Sequence, residues 1–362
     1  MGLALSLKQQ TGQLLITGFE GTTLSPRVER LIRDRHVGGI ILFERNFESP
    51  AQLEELIQKM QRIALSSPPA VPLFISVDQE GGRVSRLKSP FTSYPPPASL
   101  GKARSESLAH RFGLALGREL NSVGINMDFA PVLDVNTNPE NPIIGERALS
   151  DQAEWAARLG NHVLRGLQEA GVIPVGKHFP GHGDTSQDSH LELPYVERDT
   201  DTLTNVELVP FETAVQAGLE VIMTAHVIYT AWDNQYPATF SKTILRDILR
   251  KRLGFDGLII SDDLEMKAIE NHLPFDSLPS LGMEAGINLF LICNNPDKME
   301  AFQDQMLSDV DNGRISPEHI EETCDKILEL KSKISPFPSD QNLNTLIGDH
   351  REIVREMESF LT

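Results

Sequence analysis

Eight short apolar runs, separated by segments that mostly read as amphipathic helices, constrain this 362-residue chain more than any other feature. They fall at 14–19, 37–43, 72–77, 125–135, 172–175, 221–225, 258–260 and 287–292. Near-continuous hydrophobicity suits strands buried on both faces, as in a parallel sheet, rather than the alternation of a half-exposed antiparallel one. Parallel neighbours need long crossovers, and the intervening segments supply them. Val28, Leu31 and Ile32 share a helical side after Ser25-Pro26. Leu53, Leu56, Ile57, Met60 and Ile63 form a stripe after Ser49-Pro50, where Gln52 is placed to complete a capping box with Ser49. Ser241 caps another helix, with Ile244, Leu245, Ile248, Leu249 and Leu253 on one face and Gly254 as its stop. Helical patterns also occupy 108–120, 153–167 and 211–217. Eight such units favour an α/β fold of the closed (β/α)8 TIM type over an open doubly wound sheet. The expected organisation is one barrel domain over 1–335, with 336–362 as a C-terminal helical tail packed on it. From Ser316 onward Ile320, Cys324, Ile327, Leu328 and Leu330 are the packing candidates.

A barrel places its chemistry just beyond the strand ends. The richest such stretch is 177–190, KHFPGHGDTSQDSH, which gathers three histidines, two aspartates and a lysine around Gly181 and Gly183. No packing requirement explains so many titratable groups together. His178, His182, Asp184, Asp188 and His190 admit a metal reading, but the glycine-rich backbone offers no rigid two-histidine helix face and no cysteine joins in. Asp188 and His190 suit acid–base work, an aspartate fixing and charging an imidazole. Asp262 and Asp263 close another buried run, where a carboxylate can serve as nucleophile, base or metal ligand. Adjacent strand residues point apart, so at most one should face the barrel axis. Gly81-Gly82 after Asp78 matches no nucleotide-binding spacing. Asp78, Arg86, Arg147 and Lys177 all sit near strand ends, a mixture of charges that suits a polyhydroxylated ligand.

A net charge of -18 argues against nucleic acid and against anionic membrane surfaces. No run approaches the length of a membrane span. The two cysteines, Cys293 and Cys324, suggest no disulfide framework, and the first residues carry no basic segment ahead of a sustained apolar one. These features point to a cytoplasmic chain.

Taken together, the motifs resemble glycoside hydrolase family 3, and within it the bacterial β-N-acetylglucosaminidases. The matching residues are 77–84 (VDQEGGRV) with Arg86-Leu87, then Gly145-Glu146-Arg147, then KHFPGHGDTSQDSH, then GFDGLIISDDLEM at 254–266. The resemblance implies a retaining glycosidase without a metal or other cofactor, acting as a monomer on terminal N-acetylglucosamine of cell-wall-derived fragments. By motif position Asp262 corresponds to the nucleophile, His190 to the general acid/base and Asp188 to its partner. Asp78, Arg86, Arg147, Lys177 and His178 correspond to sugar-binding positions. Many larger members carry a second domain with a catalytic glutamate, for which this chain is too short. Glu265 stands where the family more often has a small or amide residue. Two other chemistries remain open: phosphorolysis by the same constellation, because an imidazole acid/base repels phosphate less than a carboxylate would, and a metal-dependent barrel hydrolase.

Overall fold

The computed structural model describes residues 5–186 and 192–361. Eight parallel strands close into a barrel in strict chain order: β1 Leu15–Thr17, β2 Gly39–Leu42, β3 Phe74–Val77, β4 Met127–Asp128, β5 Ile173–Phe179, β6 Val221–Thr224, β7 Leu258–Asp263 and β8 Leu289–Ile292. β1 pairs with both β2 and β8, which completes the closure. The strands are buried on both faces, as their composition requires.

Helices Pro26–Arg33, Pro50–Ser66, Glu106–Asn121, Ala153–Glu169 and Pro296–Asp311 surround the barrel. Ser49 Oγ accepts the Gln52 N–H as expected, but the reciprocal half of the capping box is absent. The Gln52 side chain instead accepts from the Glu48 N–H, one residue earlier. Ser241 caps its helix at the Ile244 N–H, and Gly254 ends it with φ +70°. That helix, Thr243–Arg252, is wound as a π-helix. Pro317–Lys331 buries Ile320, Cys324, Ile327 and Leu330. The last helix, Leu343–Glu358, lies against Glu106–Asn121, where His350 Nδ1 meets Glu119 Oε1 at 2.6 Å. Among the described residues no helix is long and apolar enough to cross a membrane.

β4 and β5 depart furthest from their expected limits. The run at 125–135 keeps only Met127–Asp128 as strand, with one further bridge from Val132 to Lys177. Pro131, which has no N–H to give, interrupts the ladder. β5 is longer than its apolar run and carries Lys177 and His178 on the strand itself. Both side chains are buried and paired, so polarity there marks the site and not the start of a loop.

Candidate active site

At the carboxyl ends of the strands a cavity of about 290 Å³ is lined by Asp78, Arg86, Arg147, Lys177, His178 and Asp262. These are six of the eight residues expected from the sequence. The other two, Asp188 and His190, lie outside the described residues. A larger groove of about 840 Å³ runs beside residues 337–344, away from this cluster.

β3 delivers Asp78 and then folds into a small hairpin, Gln79–Gly81 with Val84–Ser85. Gly81 and Gly82 adopt φ +95° and +58°, and a Cβ on Gly82 would come within 2.8 Å of Pro96, so glycine is needed at this turn. The hairpin brings Arg86 back over the cavity, with its Nη2 3.8 Å from Asp78 Oδ2. Its Nε is buried with no acceptor among the described residues. An orphaned buried donor costs free energy until a ligand supplies the acceptor.

Beneath these groups lies Glu80, which the sequence reading passed over. Its carboxylate accepts two bonds of 2.8 Å from Arg147 Nε and Nη2 and lies 2.6 Å from Lys177 Nζ. Lys177 also donates to Asp78 at 2.7 Å. Burial opposes the Glu80 charge, but Arg147 and Lys177 outweigh it and hold the carboxyl far below the usual range. Burial likewise opposes the charge on Lys177, yet Asp78 and Glu80 raise its pKa. The two cations are thus fixed in place before any ligand arrives.

Asp134, beyond β4, organises the start of the histidine motif. One carboxylate oxygen accepts the backbone N–H of His178 and of His182, at 3.0 and 2.7 Å. The other meets His178 Nδ1 at 2.7 Å. A carboxylate only accepts here, so Nδ1 carries the hydrogen and Nε2 is left for the cavity. His182 is pushed down to about 4 by burial and by His178, and its Nδ1 meets Thr185 Oγ1 at 2.9 Å. Of the histidines in the metal reading, His178 and His182 each have one ring nitrogen engaged, and His190 lies outside the described residues. Among the described residues no three His, Cys, Asp or Glu side chains form a group that could hold an ion. Asp184 is held by Arg198 in a two-point ion pair at 2.7 and 2.8 Å.

At the end of β7 the two adjacent acids have different surroundings. Both Asp262 and Asp263 line the cavity. The cause is a register shift: Ile260 pairs with Leu289 of β8, but Asp263 pairs with Leu291, so β7 holds one extra residue. Such a bulge breaks the alternation of side chains. Ser261 Oγ takes the Leu291 N–H at 3.0 Å. Asp262 Oδ1 accepts the Asp263 N–H at 2.8 Å. Burial raises the Asp262 pKa, but His226, His178, that N–H and Lys177 together bring it below the usual value. Asp263 is pushed up to about 7 by burial and by the neighbouring Glu265 and Asp262 charges. Its carboxyl accepts the N–H groups of Glu265 and Cys293, tying β7 to the loop after β8. The environments of the two adjacent carboxyls thus push their pKa values apart. Glu265 accepts the N–H groups of Asn294 and Asn295 just ahead of helix Pro296–Asp311, a contact that its negative charge strengthens.

A closed barrel with paired acids and fixed cations at its carboxyl end has the makings of an enzyme site for a polyhydroxylated ligand. The chain belongs to glycosyl hydrolase family 3: the family's N-terminal domain matches residues 6–330. It is 39% identical over 325 residues to a β-hexosaminidase of Nitrosomonas eutropha, covering 87% of this chain and 91% of that protein. The structure of a family 3 β-N-acetylglucosaminidase from Paenibacillus sp. str. FPU-7 superposes with a TM-score of 0.91 at 41% identity, over 97% of this chain and 69% of that one. NagZ from Neisseria gonorrhoeae, solved with N-trifluoroacetyl-D-glucosamine, gives a TM-score of 0.78 at 30% identity and 96% coverage of both chains.

Proposed function

We propose that this glycoside hydrolase is a retaining exo-β-N-acetylglucosaminidase that removes terminal N-acetylglucosamine from peptidoglycan-derived fragments. The observation that carries the reading is the single cavity in which Asp262 stands beside the fixed cations and the unpartnered Arg86 donor. Asp262, held anionic, attacks the anomeric carbon while the bond to the leaving oxygen breaks. His190, polarised by Asp188, donates the proton to that oxygen and later takes one from the water that releases the sugar. Asp78, Arg86, Arg147, Lys177 and His178 grip the sugar hydroxyls. We assign residues 1–335 to the barrel and 336–362 to its helical tail, and expect a cytoplasmic monomer.

A slow fluorinated N-acetylglucosaminide should leave a mass adduct on the peptide that contains Asp262, and Asp262→Asn should abolish it. An adduct elsewhere, or inversion of configuration, rejects the assignment. His190→Ala should slow cleavage of a disaccharide by about 100- to 10,000-fold and that of an activated aryl glycoside far less, because only the sugar alkoxide needs a proton. Equal losses on both reject the acid/base role. Running each assay with and without phosphate detects any sugar 1-phosphate and so separates hydrolysis from phosphorolysis.

A further inference from the structure

The bulge that brings Asp262 into the cavity has to be held open. A regular ladder would satisfy the backbone of 261–263 without help, so the extra residue needs partners of its own. Residue 263 is the point of control, because its N–H grips Asp262 Oδ1. Its carbonyl accepts two hydrogen bonds. One, from the Met266 N–H at 3.0 Å, is a local turn. The other comes from a different strand end: His226 Nε2, just beyond β6, lies 3.0 Å from that oxygen.

A carbonyl has no hydrogen to give, so Nε2 must carry one whatever the charge of the ring. The opposite nitrogen explains why it does. His226 Nδ1 lies 2.7 Å from Thr239 Oγ1, which lies 2.9 Å from Thr224 Oγ1. In a neutral ring Nδ1 is then the acceptor and Thr239 Oγ1 its donor, supplied in turn by Thr224, while the Ala225 carbonyl, 3.1 Å from Thr239 Oγ1, competes for the same hydrogen. His226, Thr239 and Thr224 are all buried, and none of the three lines the cavity. The histidine therefore meets the site from behind, through the residue 263 carbonyl and through its electrostatic effect on Asp262.

We propose that His226, its tautomer set by Thr239 and Thr224, is the positioning residue that holds the β7 bulge and aims the free oxygen of Asp262 at the anomeric carbon. The inference rests on Asp262 being the nucleophile.

Three variants test it: His226→Gln, whose amide N–H sits close to the place of Nε2–H, His226→Leu, which has no donor, and Thr239→Val. His226→Leu should lower kcat by about 100-fold, the penalty that a misplacement of about 1 Å brings, while KM on an aryl glycoside stays nearly constant. His226→Gln should recover most of that loss, and Thr239→Val should fall between the two. A leucine variant that turns over like wild type, a glutamine variant as impaired as leucine, or a loss confined to KM would each overturn the proposal. Melting temperatures show whether each variant is folded; should the leucine variant not fold, Thr239→Val decides by the same criterion of lower kcat at constant KM. The nitrogen NMR shifts of the His226 ring in the wild-type enzyme give a readout that needs no substrate. Nε2–H is expected, and Nδ1–H overturns the proposal. Should no glycoside be cleaved at all, the glycosidase reading fails, while the tautomer still decides the role of His226.

Discussion

Two lysines are buried at opposite ends of the barrel, and the protein treats them in opposite ways. Lys177, at the carboxyl end, is 2% exposed and sits between Asp78 and Glu80, which raise its pKa against the effect of burial. Lys331, at the amino end, is 1% exposed, and among the described residues its ammonium has only the Gln13 amide at 2.7 Å and the face of Phe74 at 5.0 Å. Burial pushes it down to about 7. The same side chain, equally dry, is a permanent cation in one place and close to neutral in the other. Desolvation alone therefore does not determine charge here; the neighbouring carboxylates do. Where charge is required for binding the chain builds partners for it, and where the ammonium merely ends a helix it does not.

The largest effect that would break this contrast is expected from Lys177→Met. It leaves Glu80 short of a partner in a buried network, so stability in a denaturant titration should fall by about 3–5 kcal/mol. Losing a fixed cation at the site should also cut kcat/KM by about 100- to 1,000-fold. Activity within threefold of wild type would remove Lys177 from the binding machinery.

Lys331→Met should do the reverse, leaving turnover unchanged and raising stability at neutral pH. The sign follows from linkage. The folded pKa lies below the unfolded one, so between about pH 7 and 10 the unfolded chain holds the extra proton, and stability rises by about 1.4 kcal/mol per pH unit. Below that window both states are charged and the burial penalty is present in full. The methionine variant should lose this slope, and denaturation curves of both proteins at pH 7, 8.5 and 10 would reveal an unchanged slope if the lysine is charged when folded.

The smallest effect sharpens the comparison. Gln13→Glu gives Lys331 the kind of partner that Lys177 has. Because a buried ion pair roughly breaks even against its desolvation, stability at pH 7 should move by no more than about 1 kcal/mol. The slope between pH 7 and 10 should nevertheless shrink, as the new carboxylate keeps the ammonium charged. A slope identical to wild type would show that the carboxylate does not govern the charge.

The barrel was legible because parallel strands are dry on both faces and so leave continuous apolar runs. Its boundaries were less legible where the physics is local: Pro131 cuts β4 short, and buried pairing carries β5 on through Lys177 and His178. The groups that face the cavity were legible as polarity just beyond strand ends. The groups behind them were not. Glu80 and Asp134 act across 67 and 44 residues of sequence, on partners that only the closed barrel brings near. His226 ends an apolar run like any capping residue, and nothing in LIISDD, which has neither glycine nor proline, announces a bulge.

That bulge also changes where this barrel tolerates variation in length. Loops beyond barrel strands commonly gain and lose residues, since their backbone answers to solvent and not to a ladder. Residues 261–263 lie at the margin of such a loop, yet the residue count between Ile260 and Asp263 decides how the two carboxyls are set at the cavity. Removing one residue would return β7 to an unbroken register, with a more regular barrel and a misdirected acid. An insertion or deletion here is therefore felt by catalysis before it is felt by the fold.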